Sequence, residues 1–451
     1  MRRFSILSRA ALVAALMVLA TESGASARGQ GTPHRSTLRT AATDTLPRTD
    51  PIARLQARID SGREAFPFDS ARGYLPALLH VLGIPASSQS LVFSRTSLQT
   101  DLIAPWSPRA LYFNDDLYIG FVPESEFLEI ATVSATKGAA FYTLDQNPTS
   151  PPRFKHETTS CLMCHKSPAT TTNVAGFTML STLADSDGYS IASVQTGETT
   201  DATPLEKRFG GWYVTGTLGD AHHAGNVRST LKYADIADKN EYRKSFVMNE
   251  GNNRTSLQDL VNTKRYLERT SDVVALMVLV HQTSVHNLIT ALHSATTQAI
   301  DEDAVVRRYL GDTTNAQPLE ATNARLRVAV DNLVRAMLFA EEAPLNGRIT
   351  ASSSFARDFV SVGPRDSRGR SLRDFDLQHR LFKYPLSFLI YSEGFDYLPL
   401  AAKNAVYRRL RAILSGNDSA ADYTRLSQAD RTAILEILTA TKPDFSATGW
   451  R

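Results

Sequence analysis

The sequence predicts an α+β chain with a β-rich N-terminal half followed by an all-helical C-terminal half, and three observations carry that expectation. Between Gln89 and Gln146, short runs of aromatic and β-branched residues alternate with turn residues. Beyond about Ser256, apolar residues recur at helical spacing in five segments with polar or capping residues at their ends. Hydrophobic residues make up 42% of the 451 positions, enough for a sizeable core at a length that suggests two or three domains.

Taken in order, the chain opens with Arg2, Arg3 and Arg9 before an apolar stretch, Ala10–Ala20, and then Ala25-Ser26-Ala27. A basic start, a short apolar run and a small-residue cleavage site read as a secretory signal peptide over residues 1–27, cleaved after Ala27. A periplasmic or secreted location is therefore expected. Residues 28–50 are rich in Gly, Ser, Thr, Arg and Pro and nearly devoid of large apolar groups, which predicts a disordered leader. Asp50-Pro51 is an N-cap followed by a first-turn proline and opens a helix to about Ser61. A second helix is expected over Leu75–Leu82, with Pro76 in its first turn and Gly83 and Pro85 ending it.

Residues 51–255 form the expected β-rich region. SLVFSRT, RALYFND, DLYIGFV, FLEIATVSA and GAAFYTLDQ read as successive strands of an antiparallel meander, with the turn Asn114-Asp115-Asp116 between the second and third. GFTMLSTL, YSIASVQT and GGWYVTGT are further strand-like runs, and Asp185-Ser186-Asp187-Gly188 is a turn between two of them. Residues 256–451 form the helical region, with helices expected over Ser256–Thr270, Asp272–Ile300, Ala321–Glu342, Leu400–Ser415 and Leu426–Thr441. Gly347–Arg370, rich in Ser, Arg and Gly, reads as a long surface loop.

The formal charge of the whole chain is +3. Loss of residues 1–27 removes Arg2, Arg3, Arg9 and Glu22 and leaves 46 basic against 45 acidic residues. Such a balance gives no electrostatic footprint for nucleic acid. No later run reaches the ~18 consecutive apolar residues of a membrane span, so no integral membrane segment is expected in the mature chain.

Inside the β-rich region stands CLMCH: Cys161, Leu162, Met163, Cys164, His165. These are the only two cysteines. With ten histidines in the chain, the chance of this spacing arising at random is on the order of 10⁻⁴. A disulfide across three residues would close a very small loop and remove little unfolded-state entropy. A redox dithiol would want a βαβ context, and zinc would want a further ligand pair. In C-x-x-C-H, by contrast, each thiol adds to a vinyl group of one haem and the histidine binds its iron. Cys161 and Cys164 are thus expected to hold one covalent haem c, with His165 as proximal axial ligand.

The sixth iron position separates an electron carrier from an enzyme or ligand binder. The sequence offers His223, and after it His222, in the glycine-bracketed loop GTLGDAHHAGN. The competing reading of this pair is plain solvent exposure. Met179 and Met248 are the methionine alternatives. His281, His286 and His293 share one helix, but at 100° per residue His281 points about 140° away from His286, so the three make no single-face metal site. They read as satisfied, partly buried histidines, with His286 bordering the haem pocket as the alternative. Adjacent Asp115 and Asp116 read as a hairpin turn rather than as a carboxylate pair. No G-x-S-x-G, H-E-x-x-H or phosphate-cradling loop occurs.

RALYFNDDLYIGFV, GAAFYTLDQ, CLMCH, GGWYVTGTLGDAHHAGN and YPLSFLIYSEGFDYLP together resemble a group of uncharacterised exported bacterial proteins described as cytochrome c domain-containing. The resemblance runs from about Leu91 to Pro443. It implies haem attachment at Cys161 and Cys164, axial ligation by His165, and electron transfer. The expected partner is a redox protein or a small-molecule electron donor or acceptor. The length of the chain favours an alternative, a haem-dependent periplasmic oxidoreductase or small-ligand sensor with a shaped cavity. A third reading is a non-haem interaction protein with a Cys161–Cys164 disulfide.

Overall fold

A computed structural model describes residues 50–134, 138–166, 174–190, 196–235, 244–246, 251–311, 320–418 and 421–447. The expected signal peptide and leader, up to residue 49, lie outside the described residues, as do Met248 and most of YSIASVQT. The fold is α+β, with a six-stranded antiparallel sheet in the N-terminal half and helices dominating the C-terminal half.

The first helix, α1 (Pro51–Asp60), begins where Asp50-Pro51 places it. Asp50 Oδ1 accepts from the N–H groups of Ile52 and Ala53 at 2.8 and 3.0 Å, and Tyr142 Oη donates to Asp50 Oδ2 at 2.9 Å, so the cap also ties the helix to the sheet. Helix α2 (Leu75–Val81) follows with Pro76 in its first turn. The sheet runs β1 (Ser90–Val92), β2 (Arg109–Phe113), β3 (Leu117–Phe121), β4 (Phe127–Ser134), β5 (Gly138–Asp145) and β6 (Phe154–His156) in sequence order. Five of these strands are the expected meander; the short edge strand β6 is an addition. Asn114 Oδ1 accepts from the N–H groups of Asp116 and Leu117 at 3.2 and 3.0 Å, which makes Asn114–Asp116 the β2–β3 turn.

Register decides which residues share a face. Leu111 pairs with Gly120, Gly120 with Glu129, Glu129 with Thr143, and Thr143 with Lys155. Tyr118, Ala131 and Phe141 form the adjoining row. Because side chains alternate along a strand, Arg109, two residues before Leu111, lies on this same face. The opposite face carries Tyr112, Ile119, Ile130 and Tyr142, all buried.

After α3 (Leu162–His165) the β content is smaller than expected. GFTMLSTL supplies β7 (Leu180–Thr182), which pairs with β8 (Thr196–Glu198). WYVTGT instead runs extended and makes single bridges, Trp212 to Val92, Thr215 to Asp272 and Thr217 to Thr350. The helix expected over Ser256–Thr270 is absent: this stretch is turns with one 3₁₀ turn, Thr263–Arg265. Distant side chains take its carbonyls instead. Arg72 donates to the Lys264 and Tyr266 oxygens, and Gln89 to those of Glu268 and Thr270.

The core helix is α4 (Val273–Leu310). Asp272 caps it, with Oδ1 accepting from Val274 N–H at 2.8 Å while Oδ2 accepts from Ser352 and Ser353 N–H, both at 2.7 Å. Every residue from Val273 to Thr283 is buried, so the apolar stretch is long enough to cross a membrane yet lies mostly inside the fold. Helix α4 runs ten residues past the expected Ile300 and ends at Gly311, whose φ of 65° is the left-handed conformation that suits glycine. Helices α5 (Glu320–Met337), α6 (Phe355–Ser361), α7 (Glu393–Asp396), α8 (Leu400–Leu414), α9 (Gln428–Thr441) and α10 (Pro443–Ala447) complete the helical half. Helix α6 lies inside the segment expected to be a surface loop. Its Phe355 and Phe359 are buried, and Arg373 stacks over Phe359 and Phe388, so aromatic anchoring overrides the polar composition.

Candidate functional site

The C-x-x-C-H motif forms one helical turn. Cys164 N–H and His165 N–H both reach the Cys161 carbonyl, at 3.3 and 3.0 Å, so Cys161, Cys164 and His165 lie at i, i+3 and i+4 on one side of α3. Both thiols are free; Cys161 is half-buried against the core and Cys164 is exposed. The turn is held against the sheet by a polar chain. Thr143 Oγ1 donates to Glu157 at 3.0 Å, Ser160 Oγ donates to the other Glu157 oxygen at 2.9 Å, and Lys155 pairs with Glu157 at 2.9 Å.

His165 is positioned from two sides. Its ring lies over Phe141 of β5 with centroids 4.5 Å apart, and its Nδ1 is 2.9 Å from the Gly176 carbonyl oxygen. A carbonyl only accepts, so Nδ1 carries the proton and Nε2 keeps its lone pair. The Gly176 N–H in turn donates to the His165 carbonyl at 2.9 Å. Burial lowers the His165 pKa, which favours the neutral imidazole that a metal requires.

The segment behind Gly176 is itself clamped. Asn287 on α4 accepts from Phe177 N–H at 2.8 Å and donates to Phe177 O at 2.6 Å. On the other side Gly138 bridges Ala175, and the Ala139 N–H donates to Ala175 O. Gly138 has φ 82°, and a Cβ there would stand 2.4 Å from Ala175 O, so the close approach needs glycine. None of Gly138, Gly176 and Asn287 was legible as a site residue, because their roles appear only once strand, loop and helix meet.

The electrostatic surroundings hold both signs, Glu129 and Glu157 against Arg109. Burial, then Glu129 and Glu157, push the Cys161 thiol up to about 11. Glu129 itself faces Arg109 at 2.5 Å across Gly120. Further into the core, Phe141 adjoins Phe177, and Phe177 adjoins Tyr118 and His286. His286 is fully buried; Tyr118 Oη lies 2.8 Å from its Nδ1, and among the described residues its Nε2 finds no partner. His281 is satisfied at both nitrogens, by Asp201 at 2.6 Å and Ser387 at 2.8 Å, and His293 is half-buried.

The distal candidates have surroundings of their own. His222 is exposed, with Nδ1 2.5 Å from Asn252 Nδ2, while His223 is 2% exposed beside Phe209 and the Gly225 backbone. Burial pulls the His223 pKa down to about 4, so the ring is neutral. Asn226 staples the loop, accepting from Val214 N–H and donating to the Val214 and Gly251 carbonyls at 2.7 to 2.8 Å. Among the described residues no hydrogen bond or ring contact joins His165 to His222 or His223. Met179 is buried in the core. A groove of about 760 Å³ between α5 and α8, lined by Leu326, Val330, Asp331, Ala405 and Arg408, contains no residue of either neighbourhood.

The donor set fits a covalent haem c: two free thiols on one side of a single turn, and beside them an imidazole whose orientation and tautomer are fixed by a backbone carbonyl. No family model, no curated protein and no solved structure matches the chain.

Proposed function

We propose that this chain is an exported monohaem c-type cytochrome acting in electron transfer, with a redox protein or a small-molecule donor or acceptor as its partner. The observation that carries the reading is the hydrogen bond from His165 Nδ1 to Gly176 O at 2.9 Å, which leaves Nε2 as the ligating nitrogen. Cys161 and Cys164 would hold the group as thioethers and His165 would ligate the iron. When bound, the haem supplies a one-electron couple. The protein's part is to hold His165 rigid through Phe141 and Gly176. His223 is the proposed sixth ligand, supported by its burial and neutral ring. Denatured protein from a host with c-type maturation should stain for haem on a gel, and Cys161→Ala/Cys164→Ala should abolish the stain. A colourless wild type carrying a Cys161–Cys164 disulfide would defeat the proposal.

The alternative is a haem-dependent oxidoreductase or small-ligand sensor, in which the chain's length builds a shaped cavity over a sixth position open to small molecules. Rapid binding of carbon monoxide and cyanide by a high-spin iron selects this reading. A low-spin iron that resists both selects electron transfer.

A further inference from the structure

We propose that Arg109 is the binding site for a carboxylate of the haem, an anchor separate from the thioethers and from His165; the proposal rests on the haem reading above. Arg109, Gly120, Glu129 and Thr143 share one face of the sheet, on neighbouring strands β2 to β5. The motif turn is fastened to that same face, through Thr143 to Glu157 and Ser160 and through Phe141 to His165. From β5 to β2 is three strand spacings, about 14 Å, and the Arg109 side chain reaches back across β3 towards β4. The floor between is low, made of Gly120 and Ala131. A Cβ at Gly120 would lie 2.6 Å from Arg109 Nη2 and 2.8 Å from both Arg109 Nε and Glu129 Oε2.

The Arg109–Glu129 pair is incomplete as it stands. The two side chains are only 20% and 13% exposed, yet among the described residues Arg109 Nε and Glu129 Oε1 find no hydrogen-bond partner, and Glu129 Oε2 meets only Arg109 Nη2 at 2.5 Å. Buried polar groups are nearly always hydrogen-bonded, and an arginine has five N–H donors, so one carboxylate at 2.5 Å does not exhaust it. A second carboxylate fits the fork geometry of guanidinium and satisfies donors that are already desolvated. Haem carries such carboxylates, and its covalent and axial anchors would already hold it on this face.

The test uses the full-length chain carrying Cys161→Ala/Cys164→Ala, so that porphyrin binds reversibly with His165 in place. Ferric protoporphyrin IX and its dimethyl ester, which lacks free carboxylates, are titrated into this chain with and without Arg109→Gln. With Arg109 present, the free acid should bind about tenfold or more tighter than the ester, and Arg109→Gln should remove that preference while leaving ester affinity unchanged. A preference that survives Arg109→Gln, no preference to begin with, or an equal loss for both porphyrins overturns the proposal. The last outcome is what a purely structural Arg109 would give. If neither porphyrin binds either chain, the haem reading falls and this inference with it. Should Arg109→Gln fail to fold with Glu129 unpaired, Arg109→Gln/Glu129→Gln removes both charges and is read in the same way.

Discussion

Asn287→Ala removes the clamp on the segment that orients His165. The Asn287 side chain makes two hydrogen bonds to one residue, accepting from Phe177 N–H at 2.8 Å and donating to Phe177 O at 2.6 Å. A neutral hydrogen bond contributes about 1 kcal/mol net, and a buried group left without a partner costs about 1–3 kcal/mol. Asn287 is half-buried, so water reaches part of the vacated site and the lower end applies. The expected loss is about 2–3 kcal/mol in urea unfolding of the full-length chain. Gln298→Ala, on the exposed side of the same helix, breaks a surface hydrogen bond to Glu302 and should change stability by less than about 0.5 kcal/mol. In haem-loaded protein, a loosened Gly176 carbonyl weakens the hydrogen bond that makes the His165 ring more basic, so the reduction potential should rise. An Asn287→Ala chain as stable as the Gln298→Ala control, with an unmoved potential, would refute the idea that α4 holds the His165 loop.

Three further expectations follow from individual residues. Gly138→Ala forces an L side chain into φ 82° and drives its Cβ against Ala175 O, so unfolding free energy should fall by more than about 2 kcal/mol; an unchanged urea midpoint would show that the β5 approach to Ala175 is dispensable. His223→Ala should convert a low-spin ferric haem to high-spin, and a spectrum that stays low-spin removes His223 in favour of His222, Met179 or Met248. Burial holds the His286 pKa down at about 3, below its ordinary 6.5, so the unfolded chain binds more protons between those values and His286 destabilises the fold increasingly as pH falls from about 6.5 towards 3, by up to ~1.4 kcal/mol per unit. His286→Phe should therefore gain stability relative to wild type as the pH is lowered through that window, and a difference that stays constant with pH would contradict the buried, neutral assignment.

The parts legible in the sequence are those whose cause is local. Asp50-Pro51 marks a helix start because the cap and the proline act within one turn, and Asn114 marks a hairpin because its side chain bonds the next two amides but one. CLMCH is likewise self-contained, since one turn aligns all three side chains. Where the cause is distant, pattern misleads. Leu257 and Val261 look like one face of a helix, and both are buried, yet Arg72 and Gln89, nearly 200 positions earlier, claim carbonyls that a helix would use. Gly347–Arg370 looks like a loop because Ser and Arg outnumber the two phenylalanines that anchor it. The His-His pair resolves into one exposed ring and one buried ring, a difference made by Phe209 and the Asn226 staple and invisible in two identical letters. The clamp by Asn287, 110 positions from Phe177, has no local signal at all.

The central claim is that Cys161 and Cys164 carry one haem with His165 as its axial ligand, and intact-mass measurement of denatured, full-length protein from a c-type maturation host tests it most directly. The account predicts a mass increase of one haem, retained under denaturation and mapped by proteolysis to the peptide containing Cys161 to His165. It also predicts that His165→Ala keeps the added mass but loses the axial imidazole signature in the visible spectrum. A wild-type chain with no added mass, or one lighter by two hydrogens through a Cys161–Cys164 disulfide, would contradict it.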